Sequence, residues 1–263
     1  MPLSLKGKRA LITGSTSGIG LGIAEAMAAE GADIMVNGFE PQSIVEKTAA
    51  DIAKTYNVKT GALSADLTDA KAAERLVAEA EKAIGPLDIL VNNAGIQFVA
   101  PIEEFPLEKW DQIIALNLTA AFRVTRLVFK GMKDRGFGRI INIDSAHGLV
   151  ASPFKSAYVA AKHGLLGFTK VVALEGAEKN VTCNAICPGY VHTPLVDKQI
   201  DDQAKAHGIP RERVIDEVIL APQPMKRFAK VEEIGALAVF LCGPATGAMT
   251  GTHISMDGGW TAK

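Results

Sequence analysis

Cysteine is scarce in this chain, with only Cys183, Cys187 and Cys242 among 263 residues. So few thiols exclude a disulfide framework, and no cysteine–histidine cluster has the spacing of a zinc site, so no metal is expected. Cys183 and Cys187 lie in an apolar, strand-like run, where extended chain holds them roughly 13 Å apart, and both read as small buried core residues. Neither sign of charge is in excess. With 28 Lys+Arg against 29 Asp+Glu, the chain has no electrostatic footprint for nucleic acid or for an acidic membrane surface. Small molecules or copies of the chain itself are the expected partners. No apolar run approaches the ~20 residues of a membrane span, and the opening M-P-L-S-L-K-G-K-R has no signal-peptide core. The expected compartment is a reducing cytoplasm. Nothing repeats at a fixed period and no low-complexity linker divides the chain, so residues 1–263 read as a single domain.

What is present is an alternation of short apolar strands with longer helical patterns. Strands are expected at Arg9–Thr13, Asp33–Asn37, Thr60–Ala65, Ile89–Asn92, Arg139–Ile143, Val181–Ile186 and His253–Met256. Helices are expected over Gly20–Glu30, Gln42–Tyr56, Asp69–Ile84, Leu107–Arg135, Tyr158–Ala177 and Val231–Leu241. Strands separated by helices of more than ten residues imply a doubly wound α/β fold, a seven-stranded parallel sheet with helices on both faces. The polar, charged stretch from about 190 to 225 breaks this rhythm. It follows the sixth strand, where a small helical lid over a ligand site would stand.

Two stretches carry chemistry. T-G-S-T-S-G-I-G, Thr13 to Gly20, sits at a strand-to-helix junction, the context of a dinucleotide-binding turn. Gly14 permits the tight turn, Gly18 lets the backbone approach a pyrophosphate, Gly20 allows close helix–strand packing, and the helix N-terminus supplies free N–H groups. N-N-A-G, Asn92 to Gly95, follows at the end of the fourth strand. The second stretch runs from Ser145 to Lys162. There Tyr158 and Lys162 lie one helical turn apart on one face, and a cation beside a phenol is expected to pull its pKa of about 10 toward neutrality. Asp144 adjoins Ser145 and, if its carboxylate nears the site, should raise the Tyr158 pKa.

In their order and spacing, T-G-x-x-x-G-I-G, N-N-A-G, the Ser145–Tyr158–Lys162 set and P-G with Thr193 resemble the short-chain dehydrogenase/reductase family over essentially the whole chain. The resemblance implies a Rossmann-type NAD-binding catalytic domain. It assigns cofactor contacts to Gly14, Thr16, Ser17, Gly18, Ile19, Gly20, Phe39, Asp66, Leu67, Asn93, Ala94, Gly95, Tyr158, Lys162, Pro188, Gly189, Val191 and Thr193. In catalysis it makes Tyr158 the general base or acid, Lys162 its tuning cation and ribose contact, Ser145 the hydrogen-bond donor to the substrate oxygen, and Asn117 the holder of a relay water behind Lys162. The second strand ends I-M-V-N-G-F-E, so Asn37, Gly38 and Phe39 stand where an acid would hold ribose hydroxyls and a base would suit a 2′-phosphate. With no lysine or arginine there or in the glycine loop, NAD is expected over NADP. Phe39 reads either as a wall of the adenosine pocket or as core.

For the substrate, one cation (Lys155), one histidine (His147) and two amides (Gln97, Gln199) suit a small carboxylate. Together with G-I-Q, S-A-H-G-L-V-A-S and D-G-G-W-T-A they resemble the bacterial D-3-hydroxybutyrate dehydrogenase branch, which implies that these four hold the carboxylate while Tyr190 and Trp260 line the methyl end. The expected reaction is the NAD-dependent interconversion of (R)-3-hydroxybutyrate and acetoacetate. A 3-oxoacyl-thioester reductase and a catalytically silent NAD-binding scaffold are the competing readings. The resemblance also implies a homotetramer. His163 lies about 140° around the helix from Tyr158, and His192, His207 and His253 have no partner pattern.

Overall fold

The computed structural model describes residues 4–193, 196–197, 200–201, 204 and 208–262. Seven strands form one parallel sheet: β1 (Arg9–Ile12), β2 (Asp33–Gly38), β3 (Thr60–Ser64), β4 (Ile89–Asn92), β5 (Gly138–Ile143), β6 (Val181–Pro188) and β7 (His253–Met256). Their spatial order is β3-β2-β1-β4-β5-β6-β7. The chain winds outward from β1 through β2 to β3, then returns and winds the other way from β4. That reversal opens a crevice at the carboxyl ends of β1 and β4, where neighbouring connections leave toward opposite faces.

Alternation along each strand decides which face each residue serves. Ala10 and Ile12 join Ile34, Val36, Ile89 and Val91 in one apolar cluster, against α1 (Gly18–Ala29) and α2 (Gln42–Tyr56). Leu11, Met35 and Leu90 point the other way, onto α3 (Ala70–Ile84) and the helices after β4. Both faces are covered, so the strands read as continuous apolar runs rather than half-polar ones. Cys183 and Cys187 are buried, as is Cys242.

The expected helix Leu107–Arg135 is continuous but not uniform. It comprises α4 (Leu107–Ile114), a π-turn at Ala115–Thr119 and α5 (Ala120–Arg135). By length and composition alone this run could cross a membrane. In the fold, Val124, Val128 and Met132 of α5 are buried in the core cluster shared with α3 and the sheet. Next come α6 (Ser156–Gly176), a short helix α7 (Arg211–Val214) continuing as a π-turn to Ile219, and α8 (Val231–Cys242). The 190–225 segment carries its own small apolar cluster, Val196, Ile200, Val214, Ile219 and Leu220, packed with Tyr190 and Phe228 and separate from the two main cores.

Candidate active site

The glycine turn after β1 and the Asn93–Gly95 loop after β4 are tied together at the crevice. Thr13 Oγ1 accepts from the N–H groups of Asn93 (2.9 Å) and Ala94 (3.0 Å), and Asn93 Nδ2 donates to the carbonyls of Thr13 (2.9 Å) and Gly14 (2.8 Å). Gly14 has φ +61°, a conformation that costs a side-chain-bearing residue. A Cβ at Gly20 would lie 2.2 Å from the Gly14 carbonyl oxygen, so only glycine lets α1 start this close to β1. At Ser17 the helix has no side-chain cap and no acid in its first turn, which leaves its N–H groups and positive dipole end facing the crevice.

Above this junction lies a groove of about 450 Å³. Its walls include Gly14, Thr16, Ser17, Gly18, Ile19, Phe39, Asp66, Leu67, Asn93, Ala94, Gly95, Tyr158, Lys162 and Thr193, all of them expected cofactor positions. Gly20 lies beneath it, while Pro188 ends β6 and leads through Gly189 to the buried Val191. Phe39 is 81 % exposed, so it is groove wall and not core. Uncapped helix donors, glycine clearance and a long groove together fit a dinucleotide.

Tyr158 and Lys162 stand on one face of α6, the ammonium 5.6 Å from the phenol ring centre. Tyr158 keeps access to the groove it lines, but it lies deep in the protein, and that depth pushes its phenol up to about 12. A hydrogen bond from the Ser145 hydroxyl works against the rise and the charge of Asp144 adds to it. This corrects the expectation that Lys162 would draw the phenol toward neutrality. Burial outweighs the cation, whose own pKa is lowered by desolvation and whose hydrogen bond goes to the Ile143 carbonyl at 2.7 Å.

Asn117 lies in the π-turn, where the ordinary helical hydrogen-bond ladder slips by one residue. Its amide clasps one peptide, accepting from Ile96 N–H and donating to Ile96 C=O, both at 2.9 Å. Between Asn117 and Lys162 is a cavity of about 10 Å³, also lined by Thr13 and Asn92, at the lower limit for a single water.

The residues expected on the substrate side form a second group. Ser145 ends the β5 connection, its Oγ accepting from His147 N–H (3.1 Å) and lying 3.5 Å from His147 Nδ1. The far ring nitrogen of His147 meets Ser152 Oγ at 3.0 Å. Burial, with Lys155 nearby, drives this imidazole down to about 3, so it is neutral. Trp260 packs edge-on against it at 5.0 Å and stacks on Tyr190 at 5.6 Å. Lys155 is 8 % exposed; its ammonium donates to the Tyr190 hydroxyl (3.2 Å), and burial holds its pKa down to about 8. Tyr190, expected at the methyl end, therefore presents its hydroxyl to the cation. Gln97 is half-buried on the loop after β4, and Gln199 lies outside the described residues.

A family model described as enoyl-(acyl carrier protein) reductase matches residues 14–261. The D-beta-hydroxybutyrate dehydrogenase of Rhizobium meliloti (strain 1021) is 54% identical over 256 residues, covering 97% of this chain and 99% of that protein. The protein of the same name from Cupriavidus necator is 55% identical over 260 residues, covering 98% and 100%. A crystal structure from Sinorhizobium meliloti 1021, provisionally assigned as a short-chain alcohol dehydrogenase, superposes with a TM-score of 0.88 at 36% identity, covering 100% of both chains. The chain belongs to the short-chain dehydrogenase/reductase family. It is an oxidoreductase with a nicotinamide cofactor, which sets aside the silent-scaffold reading.

In this dehydrogenase, motif spacing misses three neighbours. Glu40, one residue past Phe39, also lines the groove; its Oε1 accepts from Thr16 Oγ1 (2.8 Å), while Oε2 is shut from water with no donor among the described residues. An acid therefore does stand near the end of β2, on the turn that follows it, within N-G-F-E. Gln223, 1 % exposed, accepts from Tyr190 N–H at 2.5 Å and so fixes the ring over Lys155; a lone glutamine far along the chain gave no signal. Ser152 is the third. His163 is exposed, as the helical angle implies, but His192 does have partners, Asp197 at 3.1 Å and the Phe228 ring, which only the fold of the 190–225 segment brings near.

Proposed function

We propose that this enzyme interconverts (R)-3-hydroxybutyrate and acetoacetate with NAD. One observation carries the substrate reading: the Lys155 ammonium is buried against the Tyr190 hydroxyl with no carboxylate partner among the described residues. An unneutralised buried cation is costly, and a small carboxylate arriving from solution offsets that cost. Neutral His147 supplies a hydrogen bond beside it, and Gln97 and Gln199 complete the proposed clamp. The aromatic wall of Trp260 and Tyr190 suits the short apolar end.

In this reading NAD occupies the groove over the glycine turn and, when bound, supplies the hydride acceptor. Glu40 favours it over NADP, since a carboxylate there hydrogen-bonds ribose hydroxyls and repels a 2′-phosphate. Ser145 donates to the reacting oxygen, where negative charge develops. Tyr158 takes the hydroxyl proton during oxidation and returns it during reduction. Lys162 holds the nicotinamide ribose, and a single water between it and Asn117 carries the proton onward. The 190–225 segment acts as a lid on a single catalytic domain in the cytoplasm. Exposed Phe122, Val171 and Leu174 on α5 and α6, and Phe240 on α8, support assembly as a homotetramer.

The test is a set of initial rates with NAD and NADP on both enantiomers of 3-hydroxybutyrate and on the thioester of the R form. Turnover of the free R acid with NAD is expected to dominate. Activity confined to the S enantiomer, or a strong preference for the thioester, overturns the substrate.

A further inference from the structure

Asp144 directly follows β5 and stands between α6 and the Ser145–Gly148 turn. It is 4 % exposed. Its Oδ1 accepts from the N–H of Ser145 at 2.7 Å, while Oδ2 is sealed from water with no hydrogen-bond donor among the described residues. The turn is shaped around this carboxyl: a Cβ at Gly148 would fall 2.3 Å from Oδ1. Lys162 and Tyr158 face it from α6 and Cys187 from β6, with Asp257 beyond Cys187 and neutral His147 on the turn itself. The Lys162 ammonium donates to the carbonyl of Ile143, and no hydrogen bond joins it to the orphaned oxygen. A buried acid with a missing partner is expensive to keep, and the proton transfer described above makes no use of it.

We propose that Asp144 is a positioning residue for proton transfer, acting through Tyr158: whether its carboxyl is neutral or ionised sets the pH range over which the phenol exchanges its proton. The inference rests on Tyr158 being the acid–base group of the proposed reaction. A neutral carboxyl removes its own opposition to the phenolate, leaving burial against the Ser145 hydroxyl and the Lys162 ammonium. An ionised one opposes the phenolate and keeps the proton on Tyr158, the form that reduction consumes. Burial lifts Asp144 to about 7, with Lys162 and the Ser145 N–H pulling it back down, so the change falls near neutrality.

The decisive measurement is ¹³C NMR of tyrosine labelled at Cζ in the cofactor-free protein, followed against pH, with the Tyr158 signal assigned by its loss in Tyr158→Phe. In the wild type that signal should bend near pH 7 as Asp144 ionises. The bend should vanish in Asp144→Asn, which keeps the shape and the acceptor for Ser145 N–H but removes the charge. The acid limb of the oxidation profile should move about one pH unit lower in Asp144→Asn, as expected for losing one nearby charge. Identical curves in wild type and Asp144→Asn, or a shift confined to Asp144→Ala, would make the residue a packing element and overturn the proposal. Because the NMR arm needs no turnover, a wrong substrate would show as absent activity with the bend intact.

Discussion

The two halves of the proposed active site are built from different material. The cofactor side is mostly backbone: glycines at positive φ, peptide groups of Thr13 and Gly14 clasped by Asn93, and the open donors of α1. The proposed substrate side is mostly side chains, the buried Ser145, His147 and Lys155 with the half-buried Tyr190 and Trp260, held by one another and by Gln223. Even strain is distributed differently. Where Gly14 takes φ +61° at little cost, the substrate side places Phe154 at φ +67° immediately before Lys155. A backbone-built site recognises what all dinucleotides share, whereas a side-chain site can be retuned by single substitutions.

The largest expected effect lies where the halves meet. Tyr158→Phe should lower kcat by about 10²–10⁴-fold, the usual worth of a positioned acid–base group, while cofactor affinity stays near the wild-type value. Equal losses in both would break the division. Lys155→Met should cut kcat/KM for the free acid by about 10–100-fold, as for a lost hydrogen bond to a charged group, again without weakening cofactor binding by titration calorimetry. This variant has a stability signature too. The Lys155 pKa is held down to about 8 in the folded protein against an ordinary 10.5, so between those values the unfolded chain binds more protons and wild-type stability rises with pH. Urea midpoints across that window should rise less in Lys155→Met.

Smaller effects sharpen the contrast from the cofactor side. Glu40→Gln should lower the NAD over NADP preference about tenfold in kcat/KM, with little change in KM for the hydroxy acid. An unchanged preference would return the cofactor choice to the backbone. Phe154→Gly should raise Tm by about 1–3 °C through relief of the left-handed backbone, since the side chain is more than half exposed. Its KM for substrate should rise, because Lys155 loses a fixed neighbour.

The fold was legible because its signals are local. Seven apolar runs, caps and glycine stops predict the strands to within about two residues, and the alternation of β and α dictates the parallel sheet. Boundaries inside the long helix were not legible: the π-turn coincides with the Asn117 amide's clasp of Ile96, a contact across 21 positions. The groove followed from motifs whose meaning is carried by backbone geometry. Glu40 carries no positional signal, because it lies past the strand on a turn that only the fold brings back onto Thr16.

Chain order and residue type by themselves determined the family, the sheet, the glycine turn and the Ser145–Tyr158–Lys162 set, because each is a matter of spacing along one segment. Only the tertiary structure decided the electrostatics. Depth of burial, not the neighbouring cation, governs the Tyr158 phenol; the same burial neutralises His147 and strains the charge on Lys155. Desolvation depends on how much protein surrounds a group in three dimensions, and no spacing of letters records that.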